Sequence, residues 1–250
     1  MSSSRILGDS APDSDRFGIE VVRGHVPAGT PDKDVIDEIM ACDATLIILR
    51  IGAGDSSTIV QLQHQGWPVI HADTLVYYGI DLTTLPRSPL PAEVRLATGA
   101  DRNAIHEIAE SSFTGYRSHY TANPLLPRNK ILAGYVEWAK SRLAPENAGS
   151  CTWVVTAEDR VAGFATCDLR PDESTIEIVL NAVHPQLSRQ GLYGRLLEGI
   201  LQHYAALSYQ QLVVSTQLWN YTVQRQWVRA GLSLKLAYDT YHIDRRLRLP

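Results

Sequence analysis

The stretch Thr175–Arg195 reads TIEIVLNAVHPQLSRQGLYGR, and it decides the fold of this chain. Its first half alternates between two faces, which predicts a β-strand. Pro185 ends that strand, a turn with Gly191 follows, and apolar residues then recur at the spacing of an α-helix. One strand face carries Ile176, Ile178, Leu180 and Ala182, the other carries Glu177, Val179, Asn181 and Val183, and the helix carries Leu192, Leu196, Leu197, Ile200, Leu201 and Tyr204.

A strand, a glycine turn and a helix start in this order form a site for an anion. Backbone N–H groups of the turn and of the first helical turn point the same way, and the helix dipole favours negative charge there. The stretch therefore predicts that a negatively charged ligand binds at Gly191.

The composition is that of an ordinary globular protein. Of 250 residues, 44% are hydrophobic and 20% are charged, and the net charge of −4 argues against nucleic acid as the main partner. No apolar run approaches the length of a membrane span, and the polar start MSSSRILGDSAPDSDR shows no signal peptide. We therefore expect a cytoplasmic protein that binds no membrane.

The cysteines and histidines indicate neither a disulfide framework nor a metal site. Cys42, Cys151 and Cys167 are odd in number and scattered, which is typical of reduced thiols. The eight histidines lack the spacing of metal ligands, so no metal is expected.

The order of patterns predicts two domains. Residues 1–15 are dominated by Ser and Asp, with one Pro and one Gly, and are expected to be disordered. Residues 16–84 read as β-α-β-α-β, a small α/β domain, and the proline-rich residues 85–92 read as a linker. Residues 93–250 carry a longer series of strands and helices, among them the stretch at Thr175–Arg195.

The segment AVHPQLSRQGLYG, Ala182–Gly194, resembles the acetyl-CoA signature of the GCN5-related N-acetyltransferases (GNAT). In that family the pyrophosphate of coenzyme A lies on such a turn. The pattern, which is Gln or Arg, two residues, Gly, one residue, then Gly or Ala, falls here on Ser188, Gly191 and Tyr193. Gly191 fits, and the other two depart. The resemblance implies an α/β (α+β) fold whose central mixed, splayed β-sheet is flanked by helices, with acetyl-CoA as the cofactor.

The resemblance also implies which residues hold the cofactor. A backbone N–H near Asn181–Val183 would polarise the thioester carbonyl, and Asn220 would bond the pantetheine arm, with a helix N-cap as its alternative role. The implied cofactor-binding residues are Ala182, Val183, Arg189, Gln190, Gly191, Leu192, Tyr193, Gly194, Gln217, Asn220 and Trp227.

Glu177 occupies the place of the family's general base. It shares a strand face with Asn181, and apolar neighbours such as Val179 should raise its pKa toward neutral pH. The alternatives are a solvent-exposed glutamate or one paired to an arginine. Asn181 and Glu177 are therefore predicted catalytic residues.

Trp227 stands where the family has a tyrosine that meets the departing thiolate. An indole N–H donates a hydrogen bond but does not release a proton near pH 7, so the family role does not transfer, and Trp227 is most simply a packing residue. Tyr193, Tyr221 and Tyr238 are the possible substitutes, and we include Tyr221 among the predicted catalytic residues.

A closer resemblance concerns the acceptor. STQLWNYTVQRQWVRAGL and SSFTGYRSHYTANP resemble segments of nucleotide-sugar N-acetyltransferases of the dTDP-fucosamine type, which share the two-domain plan. The implied acceptor pocket would be lined by aromatic and polar side chains, and Arg117 could reach a phosphate. The alternative is a loop that packs its aromatic residues on the core. The lining residues are Phe113, Tyr116, His119, Tyr120 and Asn123.

Together these features predict an acetyl-CoA-dependent N-acetyltransferase that acts in a ternary complex. The first expectation for the acceptor is a nucleoside-diphosphate-linked 4-amino-4,6-dideoxyhexose. An aminoglycoside or another amine natural product, in resistance or antibiotic biosynthesis, is the second. A non-catalytic acyl-CoA sensor is the third. A homodimer is expected from family habit alone.

Overall fold

The computed structural model describes residues 5–143 and 149–247, and the chain divides into two compact units. Unit 1 comprises Met1–Val76, Arg117–Ile131 and Leu236–Pro250, and unit 2 comprises Tyr77–Tyr116 and Leu132–Lys235. The chain thus leaves unit 1 after Val76 and enters it again twice, at Arg117 and at Leu236. No helix among the described residues is both long and apolar enough to cross a membrane.

Unit 1 is an α/β layer of strands and helices. Its elements are β1 (Leu7–Asp9), α1 (Ala11–Phe17), β2 (Val21–His25), α2 (Asp32–Ala41), β3 (Leu46–Gly52), α3 (Ser57–His64) and β10 (Ser233–Asp244), which begins in unit 2. The strand order of this part of the sheet is β1-β2-β3-β10. Strands β2 and β3 are parallel, and β10 is antiparallel to β3. Strand β3 is mostly apolar, as is typical of a buried strand, and its Ile47, Leu49 and Ile51 pack against the helices.

The predicted disorder of residues 1–15 is corrected where the structure describes them. Residues 1–4 lie outside the described residues, but β1 and α1 occupy most of the remainder. The Glu38 carboxylate of α2 accepts hydrogen bonds from the backbone N–H groups of Ile6 and Leu7, at 3.0 and 2.7 Å. The composition of residues 1–15 could not predict this ordering, because the hydrogen bonds are made with Glu38, about thirty residues further along the chain.

Unit 2 is a mixed sheet with helices packed on it. Its elements are β4 (Val69–Asp81), which begins in unit 1, β5 (Val94–Leu96), α4 (Arg102–Phe113), α5 (Arg128–Lys140), β6 (Ser150–Ala157), β7 (Arg160–Arg170), β8 (Thr175–Val183), α6 (Leu192–Ala206), β9 (Gln211–Gln217) and α7 (Tyr221–Arg229). The strand order is β4-β9-β8-β7-β6-β5. The hairpin between β6 and β7 turns at Glu158 and Asp159, both with positive φ.

The units divide the chain differently from the predicted ranges 16–84, 85–92 and 93–250. Residues 236–250 fall in unit 1 because β10 pairs with β3 from Tyr238 to Asp244, and residues 117–131 fall there because their side chains bond to residues of unit 1 such as Asp13 and Asp244. The proline-rich linker is held on α6: Gln202 accepts a bond from the Ser88 N–H at 2.9 Å and donates one to the Pro86 carbonyl at 3.0 Å. It is therefore a docked segment of unit 2.

Candidate active site

Strand β8 has the two faces that its sequence predicts. Ile176, Ile178 and Leu180 are buried, at 0%, 1% and 7% exposed, and pack into the core of unit 2. Glu177 and Asn181 lie on the other face and are half-buried. The alternation is therefore confirmed, and the polar face of β8 is the one open to a ligand.

Strand β8 is bulged and then parts from β9. Its pairing with β7 shifts register so that Leu180 faces Thr166 and Ile178 faces Cys167, which leaves an extra residue at Val179. The parallel pairing with β9 runs from Thr175 to Ile178, while β8 itself continues to Val183. Within unit 2, the last five residues of β8 thus border a gap on their β9 side.

The gap exposes backbone donors of β8. The His184 N–H bonds to the Ala162 carbonyl beside β7, at 2.8 Å. Because successive N–H groups of a strand point to opposite edges, the N–H of Ala182 also points to β7, and those of Asn181 and Val183 point into the gap. Two of the three residues predicted near the thioester carbonyl are therefore placed to donate, and Ala182 is not.

The turn after β8 leads into an uncapped helix. Gly191 is the N-cap of α6 with φ of 78°, a left-handed conformation that glycine adopts without strain, and no side chain caps the helix. The first helical bond joins the Arg195 N–H to the Gly191 carbonyl at 3.1 Å, so the N–H groups of residues 192–194 precede it. Their dipoles suit a diphosphate.

The space around this turn also fits such a ligand. A Cβ atom added at Gly191 or at Gly194 would meet nothing within 4 Å. Arg189 and Gln190 are exposed, so the turn presents its backbone rather than buried side chains. The residues present thus fit coenzyme A, although their roles remain predictions.

Glu177 is paired with Arg170, an arginine that no sequence motif singles out. Arg170 donates from Nη2 to the carboxylate at 2.5 Å, and the Glu177 side chain is 18% exposed. This is the arginine-paired alternative. Glu177 precedes Asn181 by four residues, or about 13 Å along the strand. At that separation a proton has to pass between the carbonyl region and the carboxylate along a chain of water molecules.

Trp227 belongs to the interior of unit 2. Its side chain is 0% exposed, lies 5.4 Å from the Tyr78 ring and donates from Nε1 to the Tyr193 hydroxyl at 2.6 Å. The prediction that Trp227 binds the cofactor is therefore corrected, since its one polar group is used internally. Burial raises the pKa of Tyr193, and this phenol stays protonated at neutral pH.

The segment after β9 places its polar residues differently from the prediction. Asn220 precedes α7, but its side chain makes no cap bond and donates instead to the Thr216 hydroxyl at 3.0 Å. Gln217 is 8% exposed, and its amide oxygen accepts from the Tyr116 hydroxyl. Tyr221 is 62% exposed at the start of α7, and this does not favour the catalytic role predicted for it.

The predicted acceptor residues separate into two environments. In unit 2, Phe113 stacks on Tyr135 at 4.7 Å and Tyr116 tilts against Trp219 at 5.4 Å. In unit 1, the other three are bound internally, as the packing alternative predicts. Their bonds join His119 Nδ1 to His242 Nε2 at 2.9 Å, the Asn123 amide to Asp244 at 2.8 Å and the Tyr120 hydroxyl to Asp13 at 2.7 Å.

Comparison with known proteins identifies the family. The sequence model of the Acetyltransferase (GNAT) family matches residues 103–231, just over half of the chain. The protein belongs to this family and is an N-acetyltransferase. Acetyl-CoA is the acyl donor that the family uses.

Individual relatives are more distant. The chain is 24% identical over 203 residues to the spore coat polysaccharide biosynthesis protein SpsD of Bacillus subtilis. The matched region covers 80% of this chain and 67% of SpsD. The crystal structure of a GCN5-related N-acetyltransferase from Sphaerobacter thermophilus matches with a TM-score of 0.60 at 16% identity, over 97% of this chain and 78% of the other. The structure of a GCN5-related N-acetyltransferase from Kribbella flavida matches with a TM-score of 0.60 at 15% identity, over 97% of this chain and 88% of the other. These two likenesses concern the fold alone.

Proposed function

We propose that this protein transfers the acetyl group of acetyl-CoA to the primary amine of a nucleoside-diphosphate-linked amino sugar, with a 4-amino-4,6-dideoxyhexose as the preferred acceptor. The observation that carries the transfer is the gap beside the end of β8, directly followed by the uncapped start of α6 at Gly191. The acceptor class is supported by the similarity to SpsD, whose name assigns that protein to polysaccharide biosynthesis, and by the sequence segments that resemble nucleotide-sugar acetyltransferases.

The chain would contribute binding, polarisation and proton removal. When bound, acetyl-CoA supplies an activated acetyl group as a thioester. The N–H groups at the start of α6 would hold its diphosphate, and those of Asn181 and Val183 would donate to the carbonyl oxygen. Glu177 would take the proton of the attacking amine through a chain of water molecules. Asn220 and Gln217 would line the path of the pantetheine arm.

Direct transfer suits the described cysteines. Cys167 is fully buried, and Cys151 is half-buried with its sulfur 2.9 Å from the Tyr204 hydroxyl. Neither of these two, nor Cys42 in unit 1, lies on β8 or on the turn that follows it. A ternary-complex reaction predicts that mass spectrometry of the protein with acetyl-CoA alone finds no acetylated cysteine, whereas a stable acetyl-enzyme would contradict it.

The acceptor is tested by measuring free coenzyme A release with a matched panel. The panel contains a dTDP-linked 4-amino-4,6-dideoxyhexose, its 3-amino isomer, the free 4-amino sugar, an aminoglycoside and a lysine peptide. We expect the highest kcat/KM with the first and a large loss for the sugar without its nucleotide. Preference for the aminoglycoside would establish the natural-product alternative. Tight acetyl-CoA binding without turnover on any amine would favour a sensor. Light scattering on the same sample tests the expected homodimer.

A further inference from the structure

Tyr193 has a hydroxyl group whose hydrogen is directed by its neighbour. The indole Nε1–H of Trp227 can only donate, so at 2.6 Å the Tyr193 oxygen must accept. The hydrogen of the Tyr193 hydroxyl therefore points away from Trp227. Because Trp227 is 0% exposed and packs on the Tyr78 ring, the position of the Tyr193 oxygen is fixed by the core of unit 2.

The same hydroxyl connects the helices that follow the two parted strands, β8 and β9. Tyr193 is in the first turn of α6, two residues after Gly191. The Cys167 thiol is close enough to Tyr193 to raise its pKa further, beyond the larger effect of burial. Cys167 in turn pairs with Ile178, which is the last β8 residue paired to β9. Through its bond to Trp227 on α7, Tyr193 on α6 therefore lies between the two helices that continue from β8 and β9.

We propose that the Tyr193 hydroxyl, held in place by Trp227, donates a hydrogen bond to the sulfur of coenzyme A as that sulfur takes up negative charge. This inference rests on the proposed function, since it needs coenzyme A in the gap. It makes Tyr193 a catalytic residue and Trp227 a positioning residue. A hydrogen bond to a charged acceptor is stronger than one to a neutral acceptor, so the contact stabilises the products of bond cleavage selectively.

The proton balance follows from the acidities. Burial keeps the pKa of Tyr193 above its usual 10, whereas a thiol ionises near 8.5, so Tyr193 donates the hydrogen bond and keeps its proton. As the amine nitrogen bonds to the acetyl carbon, the electron pair of the C–S bond stays on sulfur, and the surplus amine proton leaves through water to Glu177. Solvent then returns one proton to the sulfur. Amine and thioester give amide and thiol.

The test measures the ionisation of bound coenzyme A and needs no acceptor. The ultraviolet absorbance of the thiolate is followed against pH for coenzyme A bound to the full-length protein. We expect the pKa of the bound thiol to be about one to two units higher in Tyr193→Phe than in the unaltered protein, which corresponds to a 10- to 100-fold weaker ionisation. Tyr209→Phe is the matched control, since Tyr209 follows the far end of α6, about 22 Å away.

A second variant separates the effect of the Trp227 N–H from the effect of its aromatic ring. Trp227→Phe keeps an aromatic ring but removes the N–H, and we expect it to raise the pKa of the bound thiol by roughly a third to two thirds of the Tyr193→Phe shift. It also covers the case in which Tyr193→Phe does not fold. An unchanged thiol pKa in both variants, with coenzyme A bound by calorimetry, overturns the inference alone. Failure of the unaltered protein to bind coenzyme A overturns the proposed function as well.

Discussion

The Glu177–Arg170 pair, at 2.5 Å, is the residue-scale feature on which the proposed chemistry most depends. Arg170 also approaches Glu173, at 3.6 Å. We expect Glu177→Gln to lower kcat by about 100-fold or more, because positioned general bases typically contribute 10²–10⁴, while coenzyme A affinity changes little. Glu173→Gln is the control, since it touches the same arginine but precedes β8. Rates come from thiol release, and equal rates for the two variants would show that Glu177 is not the base.

The His119–His242 pair in unit 1 predicts a loss of stability in mild acid. Burial lowers the pKa of both imidazoles, to about 4 for His242 and well below 6.5 for His119. The unfolded chain takes up these protons near pH 6.5 but the folded chain does not, so their stabilising effect is complete above 6.5 and is lost as pH falls toward 4. His242 alone would contribute a loss of about 3 kcal/mol. The charged groups that act on the pair are Arg23, Arg50, Asp13 and Asp244.

Urea unfolding from pH 7.5 to 4.5 measures this effect. We expect the midpoint of the unaltered protein to fall steeply below pH 6.5 and that of His242→Gln to fall less, although the variant starts from a lower value. Parallel pH dependences in the two proteins would contradict the assignment. Asp13 and Asp244 contribute little to the change in stability between pH 7.5 and 4.5. Their pKa values are lowered in the folded protein, so both carboxylates titrate below this pH range.

At the scale of elements, the β8–turn–α6 unit depends on one backbone conformation. Gly191 has φ of 78°, where a side chain costs about 1–2 kcal/mol. We expect Gly191→Val to weaken coenzyme A binding at least tenfold, because relief of this strain would redirect the N–H groups of the turn. Gly115→Val imposes the same strain at φ of 73° in a turn after α4. Calorimetry should show weaker binding for the first variant only, and an equal effect of both would point to general destabilisation.

The same unit shows why some elements could be predicted and others could not. The alternation of β8 and the helical spacing of α6 lie within the sequence window that forms them, so both were predicted. The proline-rich residues 85–92 carry no such period, and their docking depends on Gln202, more than a hundred residues away. Gly199 likewise reveals its role only in the fold, where its Cα lies so close to Val94 that a Cβ would come within 2.6 Å.

At the scale of the whole molecule, unit 1 needs chain from three separate regions. Its strand β3 pairs with β10, and its buried Asp13 accepts from Tyr120 of the 117–131 segment. We therefore expect a fragment of residues 1–84, the range predicted as an N-terminal domain with its leading segment, to be unfolded when expressed alone. Circular dichroism and urea titration against the full chain test this. A cooperative unfolding transition of the fragment would restore the predicted boundary.

The sequence by itself determined the family, the acetyl donor, the strand-turn-helix unit and the half-buried face that carries Glu177, because each depends on residues a few positions apart. Only the tertiary structure decided that Arg170 pairs with Glu177 and that the Trp227 N–H donates to Tyr193. It also decided that three predicted acceptor residues form hydrogen bonds within unit 1, namely His119, Tyr120 and Asn123. These are choices among hydrogen-bond partners. A side chain forms such bonds with whichever groups the fold brings within 3 Å, and chain folding brings together residues whose separation in sequence has no period.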